Sequence, residues 1–170
     1  MNNVSTLKIL GLIFNDKLTW SNHFDFLICT LSRRLHVLRT LKPLLTHGEL
    51  VNIFNSIIRS VLDYACQVFL NPGQCLDLRL SKVCKRAFYI IHGRDTRFCN
   101  DCDMLSMCER RRELSMKLFN HARCIPNHVL HCLIPKASER SDRLILPHVR
   151  SARRAKSFVF YCSARYNGIV

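Results

Sequence analysis

A mainly α-helical chain, opened by one short strand and closed by an irregular basic tail, is the fold class that three observations predict. Apolar residues recur at intervals of three and four over long stretches, the spacing of one helix face. Gly and Pro number only five each in 170 residues, which is sparse punctuation for a chain of many short strands. Hydrophobic residues at 48% and charged residues at 22% are ordinary for a chain with a packed core. The expected organisation is an opening strand within residues 1–20, a helical region over 21–125 and a basic tail over 126–170.

The run from Leu7 to Phe14 reads as a short buried strand, with Asn15-Asp16-Lys17 as the turn that follows. A helix is expected from Ser21 to Leu41, with Phe24, Leu27, Ile28, Leu31, Leu35 and Leu38 on one stripe. Pro43 marks its end, because proline cannot donate to the helical ladder. Thr46-His47-Gly48-Glu49 has the spacing of a capping box, opening a helix whose apolar face is Leu50, Ile53, Phe54, Ile57, Ile58, Val61 and Leu62. After the turn Asn71-Pro72-Gly73, a third helix spans Cys75 to His92, with Gly93 placed to end it.

Residues 94–103 read as a loop. Ser106-Met107-Cys108-Glu109 fits a second capping box, leading a helix to about Ala122. Beyond Pro126 the periodicity weakens: a short helix is expected near His128 to Leu133, a basic loop from Pro135 to Ala155, and a closing strand over Ser157 to Tyr161. No internal repeat is visible.

Function begins with charge. A net charge of +14 attracts polyanions whatever the fold, and nucleic acid rewards such a surface most because neutralised phosphates release counterions. An anionic membrane surface is the rival partner, and a charge that serves only solubility is the plain alternative. The basic residues are spread over several helices rather than gathered on one amphipathic helix, so membrane binding is not expected. No leader is legible after Met1, and no stretch reaches the roughly 18 uncharged apolar residues of a span. The expected setting is intracellular, cytoplasm or nucleus and not secreted, with all ten cysteines reduced.

Cys99 and Cys102 stand at zinc-ligand spacing, and His121 with Cys124 would supply a second pair. Cys108, His128, His131 and Cys132 form a looser set. A single Cys-x-x-Cys also arises by chance in a Cys-rich chain, and the expectation is that no cofactor is bound. The alternative is a small zinc-dependent helical module that engages a protein partner. No nucleophile elbow and no Gly-rich phosphate loop is present. His47 and His92 fall at helix ends and read as capping or exposed residues.

In order, the landmarks are Leu10-Gly11-Leu12, then Leu18-Thr19-Trp20 with His23, then Leu62-Asp63-Tyr64-Ala65 with Phe69, Asn71 and Pro72. Leu80, Ala87, Ile91 and Gly93 follow, then the pair Arg111-Arg112, and at the end Phe158 or Phe160 with Arg165-Tyr166-Asn167. Taken together they resemble the C-terminal part of the reverse transcriptases of non-LTR (LINE-type, jockey-like) retrotransposons, over nearly the whole chain. The chain departs from that pattern where Phe69 and Tyr166 replace tryptophans and where Ser81 and Cys84 replace a Glu and a Gln.

The resemblance implies that the Leu10-Gly11 strand closes the palm beside the primer and that the helices after it form a thumb. It implies that Leu10, Gly11, Arg33, Arg34, Arg39, Lys42, Lys85 and Arg86 meet RNA or DNA through phosphates, without reading sequence. Trp20 is expected in the core rather than stacked on a base. Polymerase chemistry in the family rests on paired carboxylates that hold magnesium, and no Asp-Asp pair occurs here. The chain is therefore expected to be no enzyme by itself and to rely on an upstream polymerase domain. The lone strand, deprived of palm partners, is expected to make the isolated chain poorly soluble.

Overall fold

The structure, a computed structural model, describes residues 5–93, 107–138 and 140–169. It is mainly helical, and it divides into two compact units. The division does not fall at residues 20 and 125. One unit joins Met1–Tyr64 to Pro72–Cys108, and the other joins Ala65–Asn71 to Glu109–Val170.

In the first unit, the expected single strand is a hairpin. β1 (Thr6–Ile9) and β2 (Leu12–Asn15) pair antiparallel, with Thr6 opposite Asn15 and Ile9 opposite Leu12. The reason lies in the two residues between them: Leu10 and Gly11 both take positive φ, 46° and 81°, the geometry of a primed two-residue turn that suits strand twist. The apolar run thus pairs with itself. It is not a buried strand either, since Leu12 is the one residue of the pair of strands that is buried.

α1 (Ser21–Leu41) has the expected bounds and buries Phe24, Leu27, Leu31, Leu35 and Leu38 together with His23. A 3-10 turn, Lys42–Leu44, follows it with Pro43 inside. α2 (His47–Ile53) opens on the expected capping box, in which the Glu49 amide donates to Thr46 Oγ1 and the Thr46 amide donates to Glu49. A π-helical turn, Phe54–Arg59, carries the rod on into α3 (Ser60–Asp63). Leu50, Phe54, Ile58 and Leu62 are the buried residues of this rod, each four after the last. In a regular α-helix such a row drifts by about 40° per step, and the wider π turn takes up part of that drift. Ala65, at φ 49°, follows the rod.

α4 (Gln74–His92) buries Leu80, Val83, Cys84, Ala87, Phe88, Ile90 and Ile91, and Gly93 closes it with its amide bonded to Tyr89. α1 packs on α4 and on the π turn. Burial of each Leu, Ile or Phe side chain in this core contributes about 1.5–3 kcal/mol. The ion pair of Arg79 with Asp25, 2.6 Å long with side chains 41% and 59% exposed, contributes about 0–1 kcal/mol. The apolar stripes hold the helices together.

In the second unit, α5 (Met107–Cys124) supplies most of its length. The Ser106 half of the second expected capping box, and the expected loop 94–103, lie outside the described residues. The irregular tail is a correction, because it folds. A 3-10 turn, His131–Leu133, stands where a short helix is expected. β3 (Ala137–Ser138) and β4 (Ser141–Leu144) make a second hairpin. α6 (Ala152–Ala155) begins on Ser151, whose Oγ accepts from the Arg154 amide. The expected closing strand is helix α7 (Phe158–Tyr166). Its β-prone Phe-Val-Phe-Tyr start yields to packing: Tyr161, Cys162, Ser163 and Ala164 are all buried, and four consecutive buried residues suit a helix with core on more than one side. Leu70, Phe119, Leu144, Tyr161 and Cys162 form that core, flanked by Met116, Ile134, Phe158 and Tyr166.

Candidate nucleic-acid interface

Two ties set α1 and α4 side by side in the same direction. Near their starts Arg79 of α4 donates to Asp25 of α1 at 2.6 Å. At the other end His92, the last residue of α4, meets His47, the first residue of α2, which follows α1 through the 3-10 turn, with Nδ1 and Nε2 3.0 Å apart. Between these ties lie the cations that the sequence singles out. Arg33, Arg39 and Lys42 are exposed, as are Lys85 and Arg86 on α4. Among the described residues, none of the five is held in an ion pair or a side-chain hydrogen bond. Exposed guanidinium and ammonium groups without a partner among the described residues, on α1, α4 and the turn after α1, are what phosphate contacts require.

Arg34 is a correction to that set. It is half-buried, and its guanidinium donates to the carbonyl of Ile57 in the π turn. A side chain that satisfies a carbonyl of its own fold contributes to packing of the helices, and a phosphate would have to displace it.

Leu10 and Gly11 form the tip of the first hairpin. Leu10 is 82% exposed, and the Tyr64 hydroxyl donates to its carbonyl at 2.8 Å. A Cβ added to Gly11 would meet Tyr64 Cε1 at 3.7 Å, an ordinary contact. Within the chain, the glycine is needed for its positive φ of 81°. The sequence marks Tyr64 only as a landmark, and its hold on the hairpin tip joins two landmarks 54 residues apart. Below the tip, Asn15 accepts from the Thr19 amide at 2.7 Å and thereby shapes the Leu18-Thr19-Trp20 approach to α1. Trp20 is half-buried, its ring 5.3 Å from that of Phe14. His23 beside it is buried, and that burial lowers its pKa below the ordinary 6.5.

His92 is not the exposed end residue that its position suggests. It is 8% exposed and its ring lies 4.5 Å from Phe88. The pattern of α4 puts it in line with Phe88 at four residues' spacing, a signal that a helix-end reading passes over.

The zinc sets are not assembled among the described residues, where no group of three or more His, Cys, Asp and Glu is placed to hold a metal ion. Cys99 and Cys102 lie outside the described residues. His121 and Cys124 are exposed on the last turn of α5, and the His121 ring packs edge-on to His128 at 5.6 Å. The histidines and Cys132 of the looser set are otherwise engaged. His131 Nδ1 lies 3.0 Å from the Ala122 carbonyl, His128 accepts from the Leu130 amide at 3.1 Å, and Cys132 donates to the Val129 carbonyl. Burial pushes the Cys162 thiol up to about 12, which leaves it no thiolate for nucleophilic chemistry at neutral pH.

The terminal Arg165-Tyr166-Asn167 element is structural in the second unit. Asn167 clamps both backbone groups of Leu144, accepting from its amide at 2.9 Å and donating to its carbonyl at 2.8 Å. Tyr166 donates its hydroxyl to Asp142, and Arg123 reaches the same carboxylate at 3.2 Å while lying over the Tyr166 ring. The Tyr166 hydrogen bond, with the Arg123 charge behind it, holds the Asp142 carboxyl below its usual range. A cleft of about 380 Å³ in this unit is lined by Glu109, Arg112, Glu113 and Met116 of α5 and by Arg165 of the same terminal element.

No family model, no curated protein and no solved structure matches the chain. Among the described residues no helix is long and apolar enough to cross a membrane.

Proposed function

We propose that this chain is a C-terminal segment of a reverse transcriptase of the non-LTR retrotransposon type. Its work is to hold an RNA or DNA duplex through backbone phosphates, without regard to sequence. It has no catalytic part of its own: paired carboxylates and their magnesium belong to a polymerase domain that precedes such a segment. The observation that carries the reading is a set of five exposed cations with no partner among the described residues, Arg33 and Arg39 on α1, Lys42 just after it, and Lys85 and Arg86 on α4. The ordered landmarks support it, and so does the bond between Tyr64 and the Leu10-Gly11 tip. Arg34 and Gly11 have structural duties in this reading and are not relied on for binding.

The test is fluorescence anisotropy with labelled RNA–DNA duplexes of unrelated sequence. The expected result is one affinity for all of them, weakened at least ten-fold when the five cations are replaced by glutamine. Each phosphate that is no longer neutralised removes about one unit of salt slope. Selective binding to one sequence, or glutamine variants that bind as well as the parent, would overturn the reading.

A further inference from the structure

The 26 Lys and Arg residues divide equally between the units, 13 and 13, whereas the 12 acids divide 8 to 4. The second unit therefore carries the larger excess of positive charge. Much of it sits on the second hairpin and the residues just after it.

Strand register sorts the hairpin into two faces. Ala137 stands opposite Leu144, and the Ile145 amide donates to the Lys136 carbonyl at 2.9 Å. Side chains alternate along a strand. Leu144 is buried, and Asp142, although its side chain is 72% exposed, is turned toward the helices by its bonds to Tyr166 and Arg123. Arg143, Ile145 and Lys136 take the outer face, where Ile145 is 62% exposed. Arg143 and Lys136 are both exposed. Arg140 in the turn is exposed, as are Arg150, Arg154 and Lys156 beyond the hairpin.

Among the described residues none of these six cations has a side-chain partner. Asp142, the only described acid between residues 136 and 156, is already engaged on the inner face.

We infer that the outer face of the β3–β4 hairpin, with the segment running into α6, is a second nucleic-acid contact. It takes the sugar–phosphate backbone of a duplex. This rests on the nucleic-acid reading above and extends it to a region for which the family resemblance assigned no contact. A lipid surface fits less well, because among the described residues of this face Ile145 is the one exposed large apolar side chain and α6 is too short to carry an apolar stripe into a bilayer. The sequence carries the signal as a basic run over residues 136–156, but without the register it cannot separate the inward Asp142 from the outward Arg143.

The experiment compares the full chain with its Lys136→Gln/Arg140→Gln/Arg143→Gln/Arg150→Gln variant on a labelled RNA–DNA duplex. The expected result is a loss of affinity of about ten-fold or more near 100 mM salt. The slope of log K against log salt should be shallower by about three to four units. Helical circular dichroism and thermal midpoint should match the parent, because the four side chains are exposed and unpartnered. A variant that keeps the parent's affinity and slope overturns the inference while leaving the α1–α4 contact standing. A parent that fails to bind at all overturns both. Loss of flotation with phosphatidylserine vesicles, at unchanged duplex affinity, overturns the inference in favour of a lipid surface.

Discussion

The two units reach order by different means. The first is built on long apolar stripes: Phe24, Leu31, Leu38, Ile58 and Leu80 are each 0–1% exposed, and polar side chains such as Arg34 and Tyr64 join elements around that core. The second has a short apolar core, Leu70, Phe119, Leu144, Tyr161 and Cys162, and relies on polar clamps from Asn167, Tyr166 and Arg123. Where the core is long and periodic, stability is spread over many residues. Where the core is small, single hydrogen-bonding side chains carry a larger share.

That contrast breaks most easily in the first unit's core. Phe24→Ala should cost about 3–5 kcal/mol by leaving a cavity where the ring is fully buried. Urea unfolding monitored by circular dichroism would show it. Asn167→Ala removes both bonds to Leu144, each worth about 1 kcal/mol and more where a buried partner is left unpaired. Hydrogen exchange should speed up at Leu144 and along α7 while α1 stays protected. Equal acceleration in both units would show that the clamp is not local. Thr46→Ala removes one side of the capping box at the start of α2, for about 1 kcal/mol, read as a lower midpoint in the same urea titration.

The smallest effect is with pH. His23 is held neutral by burial, so its folded pKa lies below the ordinary 6.5. Its contribution is fully present above the unfolded value. As pH falls through about 6.5, the unfolded chain takes up the proton first and stability declines until the folded pKa is reached. A His23→Gln variant should flatten that part of the stability–pH curve, and an unchanged slope would clear His23 of that role.

The same contrast explains what is legible without the structure. The bounds of α1 and the Thr46–Glu49 cap are local: a stripe, a proline, a capping pair. The hairpin is hidden because Leu10 is a poor advertisement for a turn, and an unbroken apolar run looks like one strand until Gly11 is allowed a positive φ. Helix α7 is hidden because Phe158, Val159 and Phe160 favour strands locally, and only the packing around Cys162 and Ala164 overrides them. For the candidate interface, exposure of Arg33, Arg39, Lys42, Lys85 and Arg86 follows from their places off the apolar stripes. The fate of Arg34 does not, since its partner is a backbone carbonyl 23 residues away. The clamp between Asn167 and Leu144 is likewise a tertiary pairing with no local trace.

The most direct test of the central claim is the affinity of the whole chain for an RNA–DNA duplex as salt is raised from about 50 to 200 mM. Binding that rests on unpaired cations and phosphates should weaken by about a thousand-fold or more over that range, along a straight line in log K against log salt. A flat line would mean that the contacts are not ionic, and the nucleic-acid reading would fall.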